Sequence, residues 1–283
     1  MSNLVFACIA PHGSMIIPEL EDADGQKALA TRASMEELAR RMEATRPETI
    51  VLVTPHGHRI DGCFSLLNNQ SVLGELSHEQ DGNSYSVSLT FDVDKELNEA
   101  IIESAHSLEV PVSRLGYAVM DDPSFYQPLD WGATVPLWFL GASFDPQPKV
   151  VIACPDRWNM PWELFPRFGR AIRHAADTLG RRVAFIASAD MGHAHDPNGP
   201  YGYNPASAEF DAAAIEAIKA QDLGRLLTID QAWHKRAATD AYGQILNLHG
   251  AIEGQLFRPE LLSYEVPTYF GMMCVAYEAQ PER

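Results

Sequence analysis

Two apolar runs constrain this chain most. Leu4–Ala10 (LVFACIA) and Thr49–Thr54 (TIVLVT) show no alternation of polar and apolar residues, so each reads as a strand buried on both faces. A strand of that kind needs a covering layer on each side, as when helices flank a sheet. Val150–Cys154 and Arg182–Ser188 (RVAFIAS) repeat the pattern, and Met272–Ala276 reads as a last strand. Helical periodicity falls at about Gln26–Ala44, at Asp94–Ser107 with Asp94 as its cap, and at Trp162–Leu179, Ala206–Ala220 and Ala237–Ile252. Ser84–Phe91 alternates polar and apolar residues as a half-exposed strand does. Leu115–Val119 is a weaker strand, and Asp121–Trp131 reads as loop. Strands alternating with helices are βαβ units. Without a linker or a repeat, the expectation is one three-layer α/β/α domain over residues 1–283, with a mostly parallel or mixed central sheet.

Composition narrows the function classes. Lys and Arg number 21 against 38 Asp and Glu, a net charge of −17, which argues against a nucleic-acid partner. The four cysteines, Cys8, Cys63, Cys154 and Cys274, have no CxxC spacing, and three of them sit inside apolar runs as buried thiols do. No stretch is long and apolar enough to span a membrane, and MSNLVFACIAPHG lacks the basic region of a secretion signal. A cytoplasmic location is expected.

The histidines carry the chemistry. The first strand stops at Pro-His12-Gly and the second at Pro-His56-Gly; RVAFIAS runs into Ala-Asp-Met-Gly-His193-Ala-His195-Asp196. In an α/β sheet, ligands bind in the crevice outside the carboxyl ends of the strands. Pro fixes φ and Gly relaxes it, so each Pro-His-Gly is a defined bend holding an imidazole outward. Two imidazoles and one carboxylate on one face make the facial triad that holds non-haem Fe(II) with open positions. His78, His106, His174, His234 and His249 lack this context and read as structural.

These residues resemble the class III extradiol ring-cleaving dioxygenases, the family of the catalytic subunit of protocatechuate 4,5-dioxygenase, with Memo-like proteins as distant relatives. The resemblance runs nearly end to end through PHG at His12, TPHG at His56, LDWGATVPL (Leu129–Leu137), SADMGH ending at His193, and GPYGYNPASAEFD (Gly199–Asp211). It implies that His12 and His56 are ligands of Fe(II) and that His193 is the catalytic acid/base. The third ligand of the family, a Glu near the start of a late helix, falls on Asp240 in Ala-Ala-Thr-Asp-Ala-Tyr-Gly-Gln. Asp is one methylene shorter, so that helix must approach more closely. Many relatives carry Asp-His-Gly where this chain has Asp130-Trp131-Gly132.

The implied reaction opens a catechol- or 2-aminophenol-type ring with O₂, beside the diol, to a semialdehyde. Trp131, His58, His195 and Tyr201 are candidate substrate contacts, with Tyr203 a further wall residue. Arg59, Arg157 and Arg236 are candidate anchors for an anionic group. The rival readings are a zinc hydrolase using the same His/His/Asp set and a Memo-like metal-binding protein. A homo-oligomer is expected, and some relatives add a small second subunit.

Overall fold

The computed structural model describes residues 2–22, 24–80 and 82–280. The strands are β1 (Leu4–Ala10), β2 (Thr49–Val53), β3 (Phe64–Leu67), β4 (Ser71–Gln80), β5 (Asn83–Asp92), β6 (Val112–Leu115), β7 (Gln127–Pro128), β8 (Lys149–Pro155), β9 (Val183–Ser188), β10 (Phe257–Glu265) and β11 (Met272–Ala279). The helices are α1 (Leu29–Ala44), α2 (Lys95–Ser107), α3 (Trp131–Phe139), α4 (Leu164–Leu179), α5 (Ala206–Lys219), α6 (Gln231–Ala237) and α7 (Ala241–Ile252).

An eight-stranded mixed sheet runs in the order β10-β11-β1-β9-β2-β8-β3-β6. Its centre, β1-β9-β2-β8, is all parallel. β11 joins β1 antiparallel, β10 joins β11 antiparallel, and β3 joins β8 antiparallel. The four central strands alternate between two apolar layers with period two. Ile9, Val51, Val53, Val151, Phe185 and Ala187 face the core under α2, α4, α5 and α7. Phe6, Cys8, Ile50, Leu52, Ile152 and Ile186 face α1, α3 and a second sheet, β5-β4-β7. Burial on both faces is why these strands read as continuous apolar runs, and the three-layer α/β expectation holds.

The central strands and α2, with Asp94 accepting from the Leu97 N–H as its cap, stand where the sequence puts them. Other boundaries differ for identifiable reasons. The weak strand lies at Val112–Leu115 instead of Leu115–Val119, because the backbone from Gly116 turns out as a loop tied to Asn69, whose side-chain amide donates to the carbonyls of Tyr117 and Phe125. Asp121–Trp131 contains β7, and Trp131 opens a helix despite Pro136 within it. The expected helix from Ala237 to Ile252 is two elements, since Ala238 adopts a left-handed conformation (φ 48°) that ends α6, and α7 begins after Asp240. β3, β4 and β10 were not expected.

The seam between α4 and α7 is unusually close. A Cβ on Gly250 would land on the Pro166 carbonyl, and one on Gly169 would land on the Asn247 carbonyl. Backbone meets backbone there because neither helix interposes a side chain.

Candidate metal centre and its cavity

The carboxyl ends of the four parallel strands supply the site. β1 leads to His12, β9 to Asp190 and His193, β2 to His56 and β8 to Arg157. The fifth contribution is Asp240, at the entry to α7. His12, His56 and Asp240 each offer one donor atom, and the three atoms lie within 4.8 Å of one another. Asp240 Oδ2 is 3.4 Å from His12 Nε2 and 3.2 Å from His56 Nε2. Two imidazole nitrogens and a carboxylate oxygen, converging from three elements, are a donor set suited to a divalent transition metal.

The two Pro-His-Gly bends are built differently. Gly57 has φ +81°, the left-handed conformation expected of it, and a Cβ there would also meet Asp130 Oδ2 at 2.6 Å. Gly13 has an ordinary φ of −65°. Its bare Cα instead makes room for the Met272 methyl and for Phe270. Thr54 links the second bend to α3: its hydroxyl donates to Asp130 Oδ1 (3.0 Å) and accepts from the His56 N–H (3.2 Å).

Hydrogen bonds fix which ring nitrogens face inward. Ser188, fully buried on β9, donates its hydroxyl to the Gly132 carbonyl. A hydroxyl has one proton, so Ser188 Oγ must accept from His12 Nδ1–H, 2.9 Å away. His12 Nε2 is therefore the nitrogen turned to Asp240. His193 Nδ1 lies 2.8 Å from the Met191 carbonyl, which can only accept. A neutral His193 thus presents its Nε2 lone pair to the centre, 4.0 Å from Asp240 Oδ2. Its ring stacks on Phe270, with centroids 5.4 Å apart and planes at 18°.

Asp240 reaches the centre from a braced position. Its Oδ1 accepts from the Asp190 N–H at 3.0 Å, leaving Oδ2 to the imidazoles. Burial works to raise its carboxyl, but His12, His56 and His193 outweigh it and hold Asp240 well below the usual carboxylate range. Burial also works against a charged His12. The Asp190 and Asp240 carboxylates prevail and lift its imidazole to about 9. Asp190 approaches His12 Nε2 at 3.3 Å and accepts from the His12 N–H at 3.0 Å; burial first, and Asp240 beside it, raise its carboxyl.

A cavity of about 370 Å³ opens onto this centre. Trp131, Tyr201, Tyr269, Phe270 and His193 supply its aromatic lining. Trp131 lies over His56 with centroids 4.3 Å apart, and Tyr201 meets His193 edge-on at 5.6 Å. His58 and His195 do not line the cavity. His58 is exposed, whereas His195 Nε2 engages buried Asp211 at 2.9 Å. Asp211 also accepts from Tyr264 OH (2.6 Å) and the Gly192 N–H (2.8 Å), so this cluster anchors the loop that carries His193. Of the three arginines, Arg59 and Arg236 are exposed. Arg157 is half-buried, with Nη1 3.9 Å from Asp240 Oδ2. Tyr203 stands in solvent.

Sequence reasoning missed Ser188, Thr54 and Asp130, which hold the imidazoles, and gave Asp190 no role. The available signal was position, since Thr54, Ser188 and Asp190 lie within two residues of a parallel strand's carboxyl end.

Residues 6–274 match the family described as the catalytic LigB subunit of aromatic ring-opening dioxygenase. This chain belongs to the LigB family. Among curated proteins, this LigB chain is 29% identical over 257 residues to Protein CA_C1420 of Clostridium acetobutylicum, covering 91% of this chain. It spans about half (54%) of that relative's length. Among solved structures, an uncharacterized protein of Escherichia coli K12, JW3007, superposes with a TM-score of 0.52 at 16% identity, covering 96% of this chain and 99% of the other. At that identity the likeness speaks to the fold alone. No helix among the described residues is long and apolar enough to cross a membrane.

Proposed function

We propose that this protein is a non-haem Fe(II)-dependent extradiol dioxygenase that opens a catechol- or 2-aminophenol-type ring with O₂. The observation that carries the reading is the convergence of His12, His56 and Asp240 on an aromatic-lined cavity at the strand ends, in a LigB chain. The donor set fits the ion, because His12 Nε2 is left free by Ser188 and Asp240 Oδ2 is the oxygen not bound to the backbone. Held by these three residues, Fe(II) would supply the redox route by which triplet O₂ reacts with a closed-shell ring.

The remaining chemistry falls to the chain. His193 is the proton-transfer group: its Nε2 faces the centre as a base, able to take a proton from a substrate hydroxyl and return it later. Phe270 behind it and the Met191 carbonyl keep the ring from turning. Trp131, beside His56, and Tyr201, beside His193, are aromatic wall residues that restrict the orientation of a flat substrate. The four cysteines are free thiols, which suits a reducing compartment such as the cytoplasm.

The test is anaerobic loading with Fe(II), addition of catechols and 2-aminophenols, and admission of O₂. Oxygen uptake coupled to a yellow ring-opened product is the expected result. Absence of turnover across such substrates, together with tight stoichiometric zinc, would overturn the dioxygenase reading in favour of a zinc enzyme.

A further inference from the structure

Arg157 stands out among the charges around the centre. It enters from the carboxyl end of β8, the same edge that supplies His12 and His56. Its Nε and Nη1 are buried and hydrogen-bond to nothing among the described residues. The guanidinium lies 3.9 Å from Asp240 Oδ2, beyond hydrogen-bond reach, and its Cζ is 4.7 Å from the centre of the Trp158 ring. Buried donors left unfilled are costly, and their retention calls for an explanation. Asp240 is its ionic neighbour at that distance but fills none of these donors.

Charge supplies the explanation. Asp190 and Asp240 are both buried at the centre and together offset the charge of one divalent ion. A diol that binds there after losing a proton adds a further negative charge to a low-dielectric site. Arg157 carries the guanidinium beside Asp240 that can offset it. We infer that Arg157 is an anion-binding element of the site, which selects the ionised form of a chelating aromatic diol over its neutral form. The inference rests on the ring-cleavage reading above. It adds a role for a residue that neither holds the metal nor moves the proton.

A permanent cation this close to Asp240 has opposite effects on the two ligands of the site: it opposes the metal and favours the anionic diol. That opposition provides the test. The full chain is loaded with Zn(II), which is redox-inert, and titrated with 4-nitrocatechol, whose visible spectrum reports binding and ionisation. Zn(II) affinity is measured separately by competition with a chelating dye. Arg157→Gln is expected to weaken 4-nitrocatechol binding about tenfold or more while Zn(II) affinity stays equal or rises. Arg157→Lys, which keeps the charge, is expected to hold most of the diol affinity. Equal loss of zinc and diol in Arg157→Gln would show a merely structural role and overturn the inference. So would diol binding that is unchanged in Arg157→Gln, or as weak in Arg157→Lys as in Arg157→Gln. Failure of the zinc-loaded wild type to bind 4-nitrocatechol would instead overturn the ring-cleavage reading, and the inference with it.

Discussion

Replacing Ser188 by Ala isolates one oxygen atom at the base of the site. That oxygen accepts from His12 Nδ1–H and donates to the Gly132 carbonyl, and both Ser188 and His12 are buried. The space it leaves is smaller than a water's share of liquid volume, about 30 Å³, so solvent cannot replace it. Two buried polar groups lose their partner. An unsatisfied buried donor costs about 1–3 kcal/mol, and the carbonyl keeps a second lone pair for other contacts, so a loss of about 2–3 kcal/mol in urea unfolding is expected. Metal affinity should fall about 10–100-fold as well, because His12 is freed to place its proton on Nε2, the nitrogen facing Asp240. Ser188→Thr separates the two effects. It restores the hydroxyl, and with it metal affinity, while its added methyl costs about 1–3 kcal/mol in a packed strand. The measurements are isothermal titration with Zn(II) and urea unfolding of the metal-free protein. Wild-type metal affinity in a folded Ser188→Ala protein would refute the tautomer argument.

Further outcomes follow from the same geometry. His193→Ala should retain metal within a few-fold yet lose about 100-fold or more in turnover; loss of metal would mean that base and ligand have been confused. Asp240→Ala should abolish stoichiometric metal binding, and undiminished binding would place the third ligand elsewhere. The metal-free protein should lose stability in alkali. His12 titrates at about 9 in the fold and at about 6.5 unfolded, so its contribution is complete below 6.5, declines as pH rises through 9, and amounts to on the order of 3 kcal/mol. A urea midpoint that stays flat between pH 6.5 and 9.5 would contradict this. Gly250→Ala should destabilise the fold by about 3 kcal/mol or more, because the added carbon meets the Pro166 carbonyl, a backbone atom that cannot swing aside.

Strands buried on both faces were legible because their apolar runs are continuous. Of the strands that escaped notice, β4 and β10 have mixed burial, and β3, though buried, is only four residues long with a serine inside it. His12 and His56 were legible from a repeated local frame at two strand ends. Asp240 was placed only through the family resemblance, since nothing local distinguishes it from other carboxylates near helix starts. Its short side chain is accounted for by a bond that sequence cannot display, from the Asp190 N–H to Oδ1. His195 occupies as suggestive a position as His193, but the two face different ways, because Asp211 waits on one side and the Met191 carbonyl on the other. Side-chain direction after a bend depends on tertiary partners, which local spacing does not encode.

The place of β1 in the sheet has a consequence for the order in which the chain is made. β1 is synthesised before the other described strands, yet its hydrogen-bonding neighbours are β9 and β11, from residues 183–188 and 272–279. A nascent chain holding His12 and His56 therefore has neither the strand that seats His12 nor the carboxylate that completes the set. Pairings this distant form late, since the connecting chain must be closed before they are rewarded. The candidate metal centre consequently assembles only after residues 183–279 have left the ribosome, and until then the early imidazoles stand without Asp240.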